Sequence, residues 1–414
     1  MFWILIFTFA KTLSFAQDPY PFEEEKGQEE MLLDQQPTQI VGGMVNALNG
    51  AFYDQHEDLV VTAPEPIVIV RSYSSRQRGQ GALKRSWHLN HQGWIDLKIG
   101  HKPAEGMMQR EYGAKFRGPS GEELLFFGDH HKQSARSILT LHKKWIRKCF
   151  CNTSGNEISG RTNLKNTRFI YQPHHKNYKI VTGSGAELIF HPVHGKNREL
   201  MVLKEHHLPN RNCFLYLYTP ESYLARIISA NAEGKMHAAV HVLYPKDFEK
   251  FPEMHLQGSD GRKVSYYFTH ISPYGYFLKD VVFPDETRFS YGYTSKGFPL
   301  LNKKVWPDGR QLTICYHENG KVHEILDQGV RLYTLTYEES HTTVTDAQGL
   351  ITKYHFDENR RLTLVEKYDQ KNICFGRERL FWHREGNLLS HSKETGEGIV
   401  YFAKTRAYDD RGNV

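Results

Sequence analysis

The sequence predicts an all-β protein: an N-terminal β domain followed by a long antiparallel ribbon of tandem β-hairpins. Three observations carry this. A degenerate phrase recurs along the C-terminal half, in which an Asp-x-Gly or Pro-Asp-x turn leads into an alternating Tyr/Thr/aliphatic run and a second Gly or Asn turn. Recurrence at a near-fixed period marks a repeat architecture. The runs alternate with period two, the signature of a half-buried strand. The chain is also rich in residues that pack well on a pleated surface, with 23 Tyr and 24 Phe among its 414 residues.

Residues 1–16 read as a signal peptide. The segment MFWILIFTFA is apolar but too short to span a bilayer, where about 20 residues are needed, and Ser14-Phe15-Ala16 has the small-x-small form of a cleavage site. Residues 17–40 read as a disordered acidic linker, with two early prolines, a Glu cluster and several Gln. Residues 41–182 read as the N-terminal β-rich domain. Within it, 60–61 and 67–70 are short strands separated by the turn Ala63-Pro64-Glu65-Pro66, and 112–127 is a strand–turn–strand unit about Gly118-Pro119-Ser120-Gly121.

Residues 183–414 read as the hairpin array, incomplete at its C-terminus. The turn aspartates Asp285, Asp308, Asp327 and Asp346 are separated by steps of 23, 19 and 19 residues, with Asp260 a further 25 upstream. Asp bonds its own backbone and Gly takes positive φ freely, so each turn is tight. Leu312, Ile314 and Tyr316 fall on one face with Thr313 and Cys315 on the other; Phe289, Tyr291 and Tyr293 repeat the pattern, as do Thr352, Tyr354 and Phe356. Return strands at 321–325 and 361–365 complete hairpins of roughly 20 residues each. The array is expected to form an open, C-shaped ribbon with one aromatic face more buried than the other.

Charge and motifs exclude several functions. Lys and Arg number 53 against 47 Asp and Glu, a net charge of +6. The basic residues are scattered, whereas nucleic-acid binding calls for a clustered stripe. Cys149, Cys151, Cys213, Cys315 and Cys374 form no CxxC pair. The histidine pairs His130-His131, His174-His175 and His191/His194 have no carboxylate or thiol at a repeated ligand spacing, so they read as surface-loop residues, and no metal or cofactor is expected. No nucleophile elbow, HExxH or paired-carboxylate motif is present, and Ser72, Ser74 and Ser75, near His88, read as turn and strand hydroxyls. No catalytic, cofactor-binding or metal-ligating residue is assigned.

The repeats resemble the YD repeats of the Rhs family, which is similar to the teneurin shell and to the shells of insecticidal toxin complexes. Residues 349–362 and 408–414 carry the resemblance most closely, with Phe356-Asp357 in the aromatic–Asp position and Arg360 where Gly is usual; Tyr316-His317 and Tyr337-Glu338 are eroded copies. Residues 63–75 (APEPIVIVRSYSS) resemble the segment that precedes YD repeats. Asn49-Gly50 and Asp58-Leu59 match its approach, residues 81–87 match the Gly-rich run with Ser86 in place of Gly, and 111–127 match the next hairpin. These are fold markers and not active-site residues. In the family the repeats end in a core with an aspartate-dependent self-cleavage site and a variable effector tail, neither of which is found in these 414 residues. The resemblance therefore implies the front part of a larger bacterial shell. It would be an exported, non-enzymatic scaffold at the periplasm, cell surface or exterior that encloses or presents a polymorphic effector. Its partner would be a C-terminal or separately encoded Rhs core or effector piece, with self-association through open sheet edges. The alternative is a surface adhesin that binds carbohydrate or neighbouring cells through aromatic β-surfaces.

Overall fold

The computed structural model describes residues 39–78, 80–104, 107–117, 123–128, 138–140, 168–172, 175, 177–182, 184–192, 200–220, 223–245, 252–358, 361–383 and 388–408. The expected signal peptide, all but the last two residues of the expected linker, Cys149, Cys151, His130, His131, His174, His194, the expected turn at 118–121 and residues 409–414 lie outside them. Among the described residues there is no α-helix, and every regular element is a strand.

A small N-terminal module is built first. Its central strand, Ile67–Ser74, alternates strictly at its start: Ile67, Ile69, Arg71 and Tyr73 are buried and Val68, Val70 and Ser72 half-buried. It pairs on one edge with Tyr53–Val61, through a bulge between Glu57 and Leu59, and on the other with Trp87–Leu89. Two-residue strands at Ile40–Val41 and Val45–Asn46, and at Gln80–Gly81 and Lys84–Arg85, close its margins.

Trp94–Ala104 leaves the module and enters one large antiparallel sheet. It pairs along its whole length with Met107–Arg117, which pairs with Glu123–Gly128. The order continues through Ile138–Thr140, Arg168–Gln172, Asn177–Val181 and Glu187–Pro192 to Leu200–His207. Asn177–Val181 and Glu187–Pro192 are the two arms of one hairpin, so the division expected at 182/183 falls inside a single sheet.

Leu200–His207 is a branch point. One edge takes Glu187–Pro192. The opposite edge is shared: Leu200, Met201 and Val202 pair with Asp96, Ile95 and Trp94, while Glu205, His206 and His207 pair with Leu215, Phe214 and Cys213. The eight strands from Trp94–Ala104 to Leu200–His207 therefore close into a ring, and the ribbon departs from the closing strand. The sequence reading expected only an open ribbon. The closure arises because the hairpin Leu200–His207/Cys213–Tyr218 is in register over only three pairs, which leaves half an edge for Trp94.

Beyond the branch each strand pairs antiparallel with the next as far as Val400–Thr405, which pairs with Leu388–Thr395. The alternation is as expected: Phe289, Tyr291, Leu312, Ile314, Tyr354 and Phe356 are buried, while Ser290, Thr313 and Lys353 are half-buried. The turn chemistry is as expected at three of the four aspartates, whereas Asp327 ends a strand and its carboxylate accepts from Arg310. The Oδ1 atoms of Asp285, Asp308 and Asp346 accept from the amides of Thr287 (3.1 Å), Arg310 (2.9 Å) and Gln348 (2.9 Å). Gly309, at φ +85°, takes the left-handed conformation that a side chain would strain.

An aromatic clip closes the open end of six hairpins. The hydroxyls of Tyr218, Tyr293, Tyr316 and Tyr337 donate to the carbonyls of Leu203, Leu278, Leu301 and Val322 at 2.8, 2.6, 2.7 and 2.7 Å. Each partner lies 15 residues upstream, on the first strand of the same hairpin. Two longer hairpins use a spacing of 20: the Trp382 indole donates to Leu362 and the Tyr408 hydroxyl to Leu388. Tyr218, Tyr293, Tyr316 and Trp382 each follow a register shift. The bulge re-aims the ring along the strand. Burial pushes the phenols of Tyr218, Tyr293, Tyr316 and Tyr337 well above their usual range, so they remain donors at all ordinary pH.

The clip predicts that Tyr316→Phe lowers unfolding free energy by about 1 kcal/mol, the net worth of one neutral hydrogen bond. Amide exchange should rise in Leu301–Val305. Tyr401→Phe, at a hydroxyl on a residue 67% exposed, should change neither. Urea unfolding with hydrogen-exchange mass spectrometry checks both.

Candidate functional site

The candidate site is the seam where the N-terminal module lies along the inner face of the sheet. Its deepest group is Arg71, whose side chain is fully buried. Strand alternation in Ile67–Ser74 forces it inward beside Ile69 and Tyr73. Such burial is tolerated only with a counter-charge and filled donors. The guanidinium ion-pairs with the equally buried Asp58, contributed by the neighbouring strand at its bulge. Its Nε and Nη2 donate to the Tyr291 hydroxyl at 3.1 and 2.6 Å. The second Asp58 oxygen accepts from the Tyr266 hydroxyl at 2.7 Å, and His56 Nδ1 lies 3.0 Å from the first. Phe289 and Tyr291 present their rings to the cation, with centroids 5.2 and 5.6 Å away. Despite the desolvation, the Tyr291 oxygen and the Asp58 carboxylate hold the guanidinium more firmly charged than usual.

From this node the seam runs both ways. Lys304 meets Asp54 at 2.5 Å, both mostly buried. The Trp87 indole donates to Tyr293 at 2.8 Å, and its ring lies 5.1 Å from Tyr73 and 4.7 Å from Tyr291. Tyr73 accepts from the amide of Leu301 at 2.9 Å. Gly50 accepts from the amide of Val322 at 2.9 Å; it sits at φ +71°, and a Cβ there would lie 2.6 Å from that of Lys321. At the other end Ser229 donates to the Glu65 carbonyl at 2.6 Å, Asn210 to the Glu65 carboxylate at 2.8 Å, and Arg262 to the Val60 carbonyl.

The hydroxyls of Ser72, Ser74 and Ser75 lie in the central module strand and the turn that follows it. Ser75 Oγ accepts from the Phe52 amide at 2.9 Å and Ser74 Oγ from the Arg76 amide at 3.3 Å, both serines being buried. Ser72 and His88 face each other across paired strands. His191 lies 3.4 Å from the Asn177 amide nitrogen. Among the described residues, no group of three or more His, Cys, Asp or Glu is placed to hold a metal ion, and Cys213, Cys315 and Cys374 are free thiols. The sequence reading missed Asp58, Arg71 and Tyr291 as a unit. The one local signal was an arginine on the inward phase of an otherwise apolar strand.

The architecture is that of a β-ribbon scaffold with a module clamped along its inner face. Residues 42–124, the whole module but its first strand and the first long hairpins, match the family described as Domain of unknown function (DUF6531). Among solved structures the chain is similar to the TcdB2-TccC3 complex, at 10% identity over 87% of this chain and 25% of that one, with a TM-score of 0.28. It is also similar to the Photorhabdus luminescens Tc holotoxin pore, at 10% identity over 84% of this chain and 23% of that one (TM-score 0.21). A third is the N-terminal domain of the Salmonella typhimurium effector protein SpvB, at 10% identity over 86% of this chain and 100% of that one (TM-score 0.22). The chain thus spans about a quarter of the Tc toxin chains. No curated protein matches it.

Removing one member of the Arg71 node leaves a buried, uncompensated charge. Arg71→Met is expected to cost about 3–5 kcal/mol. Replacing Asp58 and Arg71 together by Leu and Met should cost less than Arg71→Met alone. Denaturant titration followed by Trp87 fluorescence checks the order.

Proposed function

We propose that the chain is a non-enzymatic, exported scaffold, the front piece of a β-ribbon shell that encloses or presents a partner polypeptide. The observation that carries this reading is how the polar groups of the module are used. Arg71, Asp58, Trp87, Tyr73, Asp54 and Gly50 are each bonded to a ribbon strand. A set of buried polar groups spent on fixing the curvature of a sheet serves shape, because a reacting group must keep a bonding site open to its substrate.

Co-expression with the polypeptide encoded immediately downstream tests it. The partner is expected to copurify and to resist a protease that digests it when alone. A partner that stays free and is cut at an unchanged rate would sink the proposal. Ester, peptide or glycan hydrolysis that disappears in Ser74→Ala or His88→Ala would overturn its non-enzymatic part.

A further inference from the structure

Several described histidines are matched to a carboxylate. His56 has Asp58 at 3.0 Å, His207 has Glu205 at 2.8 Å, His355 has Glu366 at 3.1 Å and His391 has Glu378 at 2.5 Å. Two of the histidines outside this group, His91 and His206, lie together. His91, in the turn that follows Trp87–Leu89, is buried at φ +60°. Its ring stands edge-on to Phe214 at 4.8 Å, with Nδ1 3.0 Å from the Tyr216 hydroxyl. His206 pairs directly across the strands with Phe214, and its ring lies 6.0 Å from the same phenyl. One imidazole from the module and one from the ribbon thus flank a single phenylalanine. Among the described residues neither touches a carboxylate.

The other charged or titratable groups facing them are Tyr216 on the His91 side, and His207 and Glu65 on the His206 side. The Glu65 carboxylate is held by Asn210 at 2.8 Å and Asn212 at 3.4 Å, and Glu205 is held by His207. The His91 ring meets the Tyr216 hydroxyl at Nδ1, and the backbone of Val68 acts on the same ring. A second proton would bury a positive charge beside a neutral phenol, with no carboxylate in contact, and would face a second imidazole across Phe214.

We propose that His91 and His206 form an acid-sensitive catch, whose protonation releases the module from Leu200–His207 and Cys213–Tyr218 while the Arg71 node stays closed. Burial, with the neighbouring histidines, pushes both rings down from 6.5 to about 4. The docked state therefore binds fewer protons than the released one. The catch is at full strength above the ordinary value of 6.5 and is lost as pH falls through about 4.

Hydrogen-exchange mass spectrometry on the intact chain, corrected for the intrinsic pH dependence of exchange, tests this. Each proton taken up on release multiplies the opening constant about tenfold per pH unit, so two sites give up to about a hundredfold. This rise is expected in peptides covering Leu200–His207 and Cys213–Tyr218, with Arg288–Tyr293 unchanged. His206→Leu should reduce the slope to about tenfold per pH unit, the value for one proton. His91→Asn, which suits the left-handed backbone, should do the same, and the double variant should be flat. Equal slopes in wild type and His206→Leu would overturn the proposal, as would opening of all three strands together. Exchange of the imidazole C2 protons reads the two titrations directly in the unmutated chain, and midpoints near 6.5 for both would refute it.

Discussion

The seating of the module on the ribbon hangs on a fully buried cation. Arg71 is carried inward by the period of its own strand, and only the combination of Asp58, Tyr291 and Tyr266 makes that position tenable. The two tyrosines come from strands remote in sequence, so satisfying the arginine and its carboxylate fixes where the module sits on the ribbon. Apolar packing around the node tolerates sliding, whereas the geometry of a guanidinium does not. The charge contributes less to net stability than to registration, since a buried ion pair roughly offsets its own desolvation.

The clips do for the ribbon what the node does for the seam. A meander of short strands is prone to slip, because its main-chain pairing is indifferent to register by two residues. An aromatic donor that reaches one particular carbonyl removes the indifference at the open end of the hairpin, where no turn constrains it. Phe356 shows the limit of the device: it fills the inner face as well as a tyrosine but has no hydroxyl to donate. Trp382 recovers the function with an indole over a longer hairpin.

The repeats, the inward face and the aspartate turns were legible in the sequence because each is set within a few residues. Leu312, Ile314, Thr313 and Asp308 behave as local alternation and turn chemistry require. The tyrosines were legible only as face-filling residues, since their second role needs a carbonyl 15 residues away on a strand whose register shifts at a bulge. The ring was not legible at all. It depends on half of one strand edge at Leu200–Val202 being left for Trp94, and on no pattern in either segment. The seam lay between the two cases: the phrase around Arg71 stood out as a fold marker, but Tyr291, 220 residues on, could not be matched to it.

That distance of 220 residues has a consequence for the order of events on the ribosome. At about 5–20 residues per second, the strand bearing Tyr291 emerges roughly 10–45 s after Arg71. Asp58, 13 residues from Arg71, is already present. The ion pair is therefore available from the start, and it keeps the arginine from being stranded while two tyrosine hydroxyls are still to be synthesised. The carboxylate serves as a holding partner for a nascent chain, and Tyr291 and Tyr266 complete an arrangement begun well before they exist.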